Sequence, residues 1–268
     1  MIDQSPTRWS RKRFLIRSIG SFILFSVLIY GGIAGFKWLN NQPHSNGANA
    51  VLRKGLDLNE KVNRIFQSNQ SLAPTYPNAE AVAHPRVNGN VGEPNSMPDT
   101  ATWRLVVRNN FNSQAGADSV MRISVADLKR LPKTEYTFEF KCIEGWSQKT
   151  RWGGVRLSEF MNYYHLGTSD GSMASAVNPR TALYVGFMTI DSQYYVGIDM
   201  LSALHPQTLL CYELNGKPLP FNQGAPLRLI IPVKYGIKNI KWIGSMYFSN
   251  TRPKDYWFER GYDYDASL

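Results

Sequence analysis

The stretch YTFEFKCIEGWSQKTRWGGVRL, residues 136–157, carries the strongest structural signal in the chain. Apolar and polar residues alternate from Tyr136 to Glu144, which predicts a β-strand with one buried face. Cys142 stands near the end of this strand, and a turn containing glycine follows it, flanked by Trp146 and Trp152. A cysteine at a strand end that faces a loop is well placed to bind a metal or to act as a nucleophile.

The residues alone leave several roles open for Cys142. A disulfide with Cys211 is one, although Cys211 lies in an apolar run, 200–212, that predicts a helix with a buried face. A nucleophilic thiolate needs a base, and no histidine stands at a signature spacing. Zinc needs further ligands, and the chain has no CxxC or HExxH pattern. A single thiolate suits a metal whose remaining ligands come from a cofactor.

Strand and helix signals alternate irregularly through the rest of the chain. A helix that begins near Leu52 and ends before Ser71 is followed by a proline-rich segment, 74–98, that we expect to lie extended over the surface. The absence of a regular βαβ rhythm predicts an α+β fold with a mixed sheet. Further strands are predicted at 102–107, 182–190 and 226–233, and helices at 125–129, 157–164 and 200–212.

Charge and hydropathy divide the chain into an N-terminal appendage and one domain. Residues 1–50 hold six Lys or Arg and one acidic residue, which is half of the formal excess of +10. The other basic residues are scattered, which disfavours nucleic-acid binding. An uncharged apolar run from Ser18 to Phe36 follows the basic cluster and as a helix would rise roughly 28 Å, about the thickness of a bilayer core.

These patterns predict a single-pass inner-membrane protein. We expect a cytoplasmic basic flank at 1–17, a transmembrane anchor or signal-like segment at 18–39, a flexible linker at 40–50 and the domain at 51–268, its first part, 51–100, being the helix and the extended segment. The positive-inside rule then places the domain in the periplasm. The segment 10–16 also resembles a twin-arginine export signal, and Ala48-Asn49-Ala50 has the form of a signal-peptidase site.

Two blocks of sequence resemble the molybdopterin domain of the sulfite oxidase superfamily, which includes the catalytic subunit of periplasmic protein-methionine-sulfoxide reductase. The first is KCIEGWS with WGGVRL, within 141–157; the second runs from LLCYELNGKPLP, at 209, to PVKYGIKNIKWI, which ends at 243. The resemblance covers roughly 86–243. It implies that Cys142 binds molybdenum, whose other ligands include the dithiolene sulfurs of one molybdopterin.

The same resemblance implies the other site residues. Arg228 matches the arginine that grips the cofactor phosphate with a planar set of donors, and Lys241 with the Asn239-Ile240 backbone matches the next contact. The tyrosine implied at the active site is Tyr195, with Tyr194 as a competitor. Further cofactor contacts are expected at Thr189, at Gln223, where relatives carry histidine or asparagine, and at Asn88, with Arg86 nearby.

The resemblance implies an oxidoreductase that transfers an oxygen atom to or from a small substrate, a sulfoxide-like oxide or a sulfite-like anion. It includes no heme module, so it implies a separate redox partner such as a heme protein. Two other hypotheses stay open at this point. One is a non-catalytic, membrane-tethered binding module of the same fold, and the other is a disulfide-stabilised domain without cofactor.

Overall fold

The N-terminal apolar run forms one long helix. The computed structural model describes residues 11–66, 71–109, 111 and 120–268, so most of the predicted basic flank lies outside the described residues. Helix α1, Arg11–Asn40, contains the predicted anchor and has the length and composition of a membrane span. The apolar part of this helix is not buried against the described part of the domain. The predicted helix is thus confirmed, and its length and composition make it suitable for a membrane span.

The stretch expected to be a flexible linker is structured. Strands β1, His44–Ser45, and β2, Ala48–Asn49, form a hairpin across Asn46 and Gly47, both at positive φ. An Asn-Gly pair is the typical turn of a two-residue hairpin. The polar composition suggested a linker, but the Asn46-Gly47 pair within it is a hairpin signal. Helix α2, Ala50–Phe66, follows directly and agrees with the helix predicted from Leu52.

Two five-stranded sheets form the domain. The strands of the first sheet are β5 Lys133–Lys141, β6 Ser147–Arg156, β9 Leu209–Leu214, β10 Lys217–Pro218 and β11 Arg228–Ile230. Their order is β10-β9-β6-β5, with β11 also pairing with β9, and every pairing is antiparallel.

In the second sheet the order is β4-β3-β12-β7-β8, and β3 with β12 is the parallel pair. The mixed sheet predicted from the sequence is therefore confirmed. These strands are β3 Leu105–Arg108, β4 Val120–Ile123, β7 Tyr184–Thr189, β8 Tyr195–Asp199 and β12 Ile243–Ser249. The short helices are α3 Val125–Leu128, α4 Leu157–Tyr163 and α5 Met200–Leu204.

The helix predicted at 200–212 is wrong in its second half. Helix α5 ends at Leu204, and Leu209–Leu214 is a strand between β6 and β11. The run Leu209-Leu210-Cys211-Tyr212 is apolar without alternation because a central strand is covered on both faces. Cys211 is consequently a buried strand residue.

The pairing of β6 with β9 depends on Gly154. A Cβ atom there would lie 2.1 Å from the carbonyl oxygen of Leu210, a backbone atom that cannot move alone. At the neighbouring Gly153 the nearest atoms belong to the side chains of Lys133 and Glu213, at 3.2 and 3.3 Å.

Gly154→Ala is therefore expected to lower the free energy of unfolding by about 3 kcal/mol, and Gly153→Ala by less than about 1 kcal/mol. Equilibrium denaturation of the two variants checks this. Equal midpoints would show that the strands separate readily at Gly154.

Candidate active site around Cys142

Cys142 lies in a tight turn immediately after β5, as the sequence predicted. Its backbone N–H donates to the carbonyl of Trp146 at 2.9 Å, and the N–H of Gly145 donates back to the carbonyl of Cys142 at 3.1 Å. Gly145 has a φ of +86°, a conformation that glycine adopts without strain. The turn thus fixes the sulfur at the end of the strand, where only 5% of the residue is exposed.

A cavity of about 160 Å³ opens beside the Cys142 side chain. The coil segment that precedes the sheets forms one wall, and the loop between β11 and β12 forms the opposite wall. Aromatic side chains of the C-terminal segment complete the lining. The lining residues include Asn88, Cys142, Tyr194, Lys241, Trp257 and Tyr262.

The thiol of Cys142 is neutral in this environment. Burial raises the pKa of Cys142, and the charge of Glu144 acts in the same direction, while backbone hydrogen bonds from Glu144 and Ile143 and the charge of Arg86 oppose it. Both cysteines are free, so the disulfide hypothesis is wrong for this structure. No histidine lines the described walls of the cavity, whereas Glu144 and Lys241 do. A bound metal cation would supply the charge that converts the thiol to a thiolate.

Lys241 reaches the cavity from the opposite wall. Its ammonium donates to the carbonyls of Asn88 at 2.7 Å, Gly89 at 2.5 Å and Asn222 at 3.2 Å. Burial and the charge of Arg228 together lower the pKa of Lys241 to about 7, while the charge of Glu93 acts in the opposite direction. The ammonium therefore binds neutral oxygens only, in a place where its positive charge is poorly solvated.

Arg228 lies behind Lys241 and is completely buried. Its Nη1 donates to the backbone and side-chain oxygens of Gln223 at 2.9 and 3.2 Å, and its Nη2 donates to the carbonyl of Asn239 at 3.2 Å. The Nε atom is buried without a hydrogen-bond partner. Burial lowers the pKa of Arg228 to about 10, so the guanidinium stays charged at neutral pH.

These two cations differ from the other buried cations nearby. Lys234 lies 2.5 Å from Asp265, and Lys238 lies 2.5 Å from Asp255. In the described part of the chain, neither Arg228 nor Lys241 has a carboxylate oxygen within 4 Å. Buried charges are normally paired, because an unpaired charge loses its hydration without compensation. A bound anion would compensate these charges; Lys241 lines the cavity, whereas Arg228 is fully buried and is not part of the lining.

The remaining predicted residues divide into two groups. Asn88 and Asn239 line the cavity, and Gln223 joins Arg228 to the coil wall by donating to the carbonyl of Pro85 at 3.2 Å. Asn239 uses its side chain to hold its own loop: its Oδ1 accepts from Ile231 N at 2.6 Å. Ile240 belongs to the hydrophobic core, where its carbonyl accepts from Leu229 N at 2.8 Å.

Two predicted residues lie away from the lining. Thr189 donates to Asp191 at 2.6 Å and holds the turn before β8, rather than facing the cavity. Tyr195 donates to the carboxylate of Glu259. Its neighbour Tyr194, the competing candidate, lines the cavity instead. Successive residues of an extended chain point to opposite sides, so only one of the two can face Cys142.

Tyr194, Trp257 and Tyr262 form an aromatic wall of the cavity, and of these only Tyr194 was considered from the sequence. Tyr194 is buried, its hydroxyl donates to the carbonyl of Ile237 at 2.6 Å, and burial holds its pKa well above the usual value, so it stays protonated. Trp257 and Tyr262 lie beyond the end of the recognised blocks. The density of aromatic residues between 256 and 264 was the available signal.

Comparison with known proteins gives the family of this chain. Residues 92–257 match the family described as the oxidoreductase molybdopterin binding domain. The chain belongs to this family. The match extends to Trp257, so it includes this part of the aromatic lining but not Tyr262, and it reaches further along the chain than the blocks recognised in the sequence.

Two relatives are similar in sequence to part of this chain. A protein of Azospira oryzae, named provisionally as protein-methionine-sulfoxide reductase subunit YedZ1, is 32% identical over 75% of this chain and 69% of its own. The protein-methionine-sulfoxide reductase catalytic subunit MsrP of Xanthomonas axonopodis pv. citri is 36% identical over 49% of this chain and 42% of its own. The chain thus spans less than half of the MsrP relative. The sulfane dehydrogenase SoxCD of Paracoccus pantotrophus aligns over 59% of this chain and 40% of its own, with 18% identity and a TM-score of 0.47.

Proposed function

We propose that this family member is a molybdenum-cofactor oxidoreductase that transfers an oxygen atom from a small sulfoxide-like substrate, with electrons supplied by a separate protein. The observation that carries the proposal is that Cys142 and the buried Lys241 line one cavity, with the fully buried Arg228 close to Lys241 and neither cation paired with a carboxylate in the described part of the chain. A soft thiolate is a suitable ligand for molybdenum, and the cations suit the phosphate of its pterin. The names of the relatives support a sulfoxide substrate.

The residues present fit this cofactor by the chemistry of their donors. Cys142 would bind the metal, while Arg228 and Lys241 would hold the phosphate, the first through its free donor and the second through its ammonium. When bound, the cofactor would supply two-electron oxygen-atom transfer. Ligand pockets usually measure about 300 to 1,000 Å³. The cavity measures about 160 Å³, so the coil wall at 88–91 would have to move away from Cys142 to admit a complete cofactor.

The protein's own contribution to the reaction is binding and orientation. The turn at Cys142 fixes the sulfur, and Lys241 ties the coil wall to the β11–β12 loop through Asn88. Tyr194 and Trp257 shield the cavity from water on one side. Arg86 lies over the Trp146 ring at 4.7 Å and is 3.8 Å from Glu144, so its charge near the sulfur is balanced. A balanced charge near the sulfur gives no net attraction for an anion, which agrees with an uncharged substrate.

Membrane attachment is part of the same proposal. Helix α1 would span the bilayer with the basic N-terminal residues in the cytoplasm, which places the domain in the periplasm. A redox partner in or near the membrane, such as a heme protein, would then exchange electrons with the site. The free thiol of Cys142 in the cavity argues against the alternative of a non-catalytic binding module.

The substrate class is tested with the purified, cofactor-loaded protein and artificial dyes. A reduced dye should be oxidised only when a sulfoxide such as methionine sulfoxide is present. Sulfite with an oxidised dye serves as the comparison. Turnover of sulfite alone would move the assignment to the oxidase direction, and loaded protein that turns over neither substrate would contradict oxygen-atom transfer.

The pterin is expected to dissociate more readily as the pH rises from 7 to 9. The pKa of Lys241 is about 7 in the cofactor-free site, and a bound phosphate would raise it by charge attraction. A lysine whose pKa rises on binding takes up a proton on binding, so affinity falls by up to about tenfold per pH unit between the two pKa values. The phosphate, with a second pKa of about 6, is ionised throughout this range.

Pterin fluorescence released after dilution measures this effect, and Lys241→Arg provides the control. Arginine keeps its charge over the whole range, so its release profile should be flat. The same slope in both proteins would show that Lys241 does not titrate with binding.

A further inference from the structure

Helix α2 buries two charged residues against the domain and exposes several apolar residues. Arg53 and Glu60 are 4% and 3% exposed. On the other side Val51, Leu58 and Val62 are 38%, 62% and 42% exposed. An amphipathic helix on a soluble domain normally buries its apolar side. The outward apolar residues therefore need an explanation outside the domain.

Specific contacts fix this orientation. The guanidinium of Arg53 donates to three backbone carbonyls: Asn46 at 2.7 Å, Tyr262 at 2.8 Å and Phe258 at 3.1 Å. At the other end of the helix, Arg252 donates to both carboxylate oxygens of Glu60 at 2.9 Å. Because Arg53 is held by three carbonyls and Glu60 is paired with Arg252, the helix cannot rotate about its axis without breaking these contacts.

The outward side has the geometry of a membrane-surface helix. Val51, Gly55, Leu58 and Val62 are separated by four, three and four positions, so they form one stripe along the helix. Lys54 and Lys61 are exposed beside this stripe. Lysines in this position can lay their apolar stems along the hydrocarbon boundary while the ammonium groups reach the phosphates.

The start of α2 is connected closely to the end of α1. Helix α1 ends at Asn40, and only the hairpin separates it from Ala50. The side chain of Asn49 donates to the carbonyl of Leu39, and Leu39 and Leu52 line one surface cavity. The apolar stripe therefore begins at the level where the candidate membrane span ends.

We propose that α2 lies in the membrane–water interface, with the stripe of Val51, Gly55, Leu58 and Val62 inserted into a phospholipid bilayer. This inference rests on the proposal that α1 spans the membrane. Arg53 ties α2 to the backbone of Phe258 and Tyr262, and Tyr262 lines the cavity of Cys142. The aromatic wall of the candidate active site then lies on the side of the domain that faces the bilayer. A redox partner within the membrane would approach from that side.

Fluorophores on single introduced cysteines test the position of α2 in the full-length, cofactor-loaded protein in phospholipid vesicles. Labels go on the stripe at Val51→Cys, Leu58→Cys and Val62→Cys, and on flanking positions at Lys54→Cys and Asn59→Cys. The native cysteines are 5% and 0% exposed, so the unsubstituted protein measures the background of labelling. Lipid-attached nitroxide and aqueous acrylamide are the two quenchers.

Stripe labels should be quenched several-fold more by the lipid nitroxide than flanking labels, and acrylamide should give the reverse order. Equal quenching by acrylamide at all positions would show that the stripe faces water and overturn the proposal. Protection from both quenchers would show that protein covers it, with the same consequence. A label at Leu24→Cys in α1 separates the two proposals: lipid quenching there without lipid quenching on the stripe leaves the span intact and rejects only the interfacial helix.

Discussion

Replacement of Cys142 by serine is expected to lower the rate of oxygen-atom transfer by more than about 100-fold, since even residues that only support metal ligands change affinity or activity by about 10- to 100-fold. Serine keeps the size of the side chain but removes the soft, polarisable donor. The cations at Arg228 and Lys241 are untouched, so the protein should still contain pterin. Turnover and pterin content, measured on the same preparation, separate loss of the ligand from loss of the cofactor.

Cys211→Ser is the matched control for this substitution. Cys211 lies in the centre of the first sheet, its thiol donates to the carbonyl of Glu213 at 3.1 Å, and burial raises its pKa to about 12. A serine hydroxyl can donate to the same carbonyl, so turnover per folded protein should stay close to that of the unsubstituted chain. If Cys142→Ser kept turnover while Cys211→Ser lost it, the ligand would be assigned to the wrong sulfur.

Arg228→Met is expected to weaken retention of the pterin by more than about 100-fold, because leaving one member of a buried charge pair, here the bound phosphate, without its partner costs about 3 to 5 kcal/mol. Methionine is of similar length but offers neither charge nor hydrogen-bond donors. The guanidinium is fully buried, and in the part of the chain that the structure describes its partners are carbonyl and amide oxygens. Pterin per folded chain, determined by fluorescence after denaturation, measures the effect.

Lys234→Met distinguishes this effect from simple loss of stability. Lys234 is also buried, but it is paired with Asp265 at 2.5 Å and donates to Ser267 at 3.1 Å. Its removal should lower the melting temperature while the folded fraction keeps its pterin. Equal pterin loss in both variants would indicate that Arg228 acts only through the stability of the fold.

Local sequence patterns predicted the environment of Cys142 well. Alternation up to Lys141, followed by Gly145, requires a strand and then a tight turn, and both are present. The resemblance then indicated Arg228 and Lys241, whose unpaired burial agrees with an anion site. Charge and burial thus give an independent physical reason for assignments first made on motif alone.

Other features depend on tertiary contacts that local patterns do not contain. Cys211 was expected on a helix, because a strand covered on both faces has no alternation. Tyr194 and Tyr195 could not be separated, because their orientation is fixed by the turn at Thr189 and by Glu259 far along the chain. The direction of α2 depends on Arg53 and Glu60, whose partners lie about 200 residues away in sequence.

Metal and pterin analysis of the purified, matured protein tests the central assignment most directly. About one molybdenum and one pterin per chain are expected, and in Cys142→Ser the molybdenum should be held less tightly than the pterin. Matured protein that contains neither molybdenum nor pterin, while folded and with both thiols free, would contradict the assignment of this site.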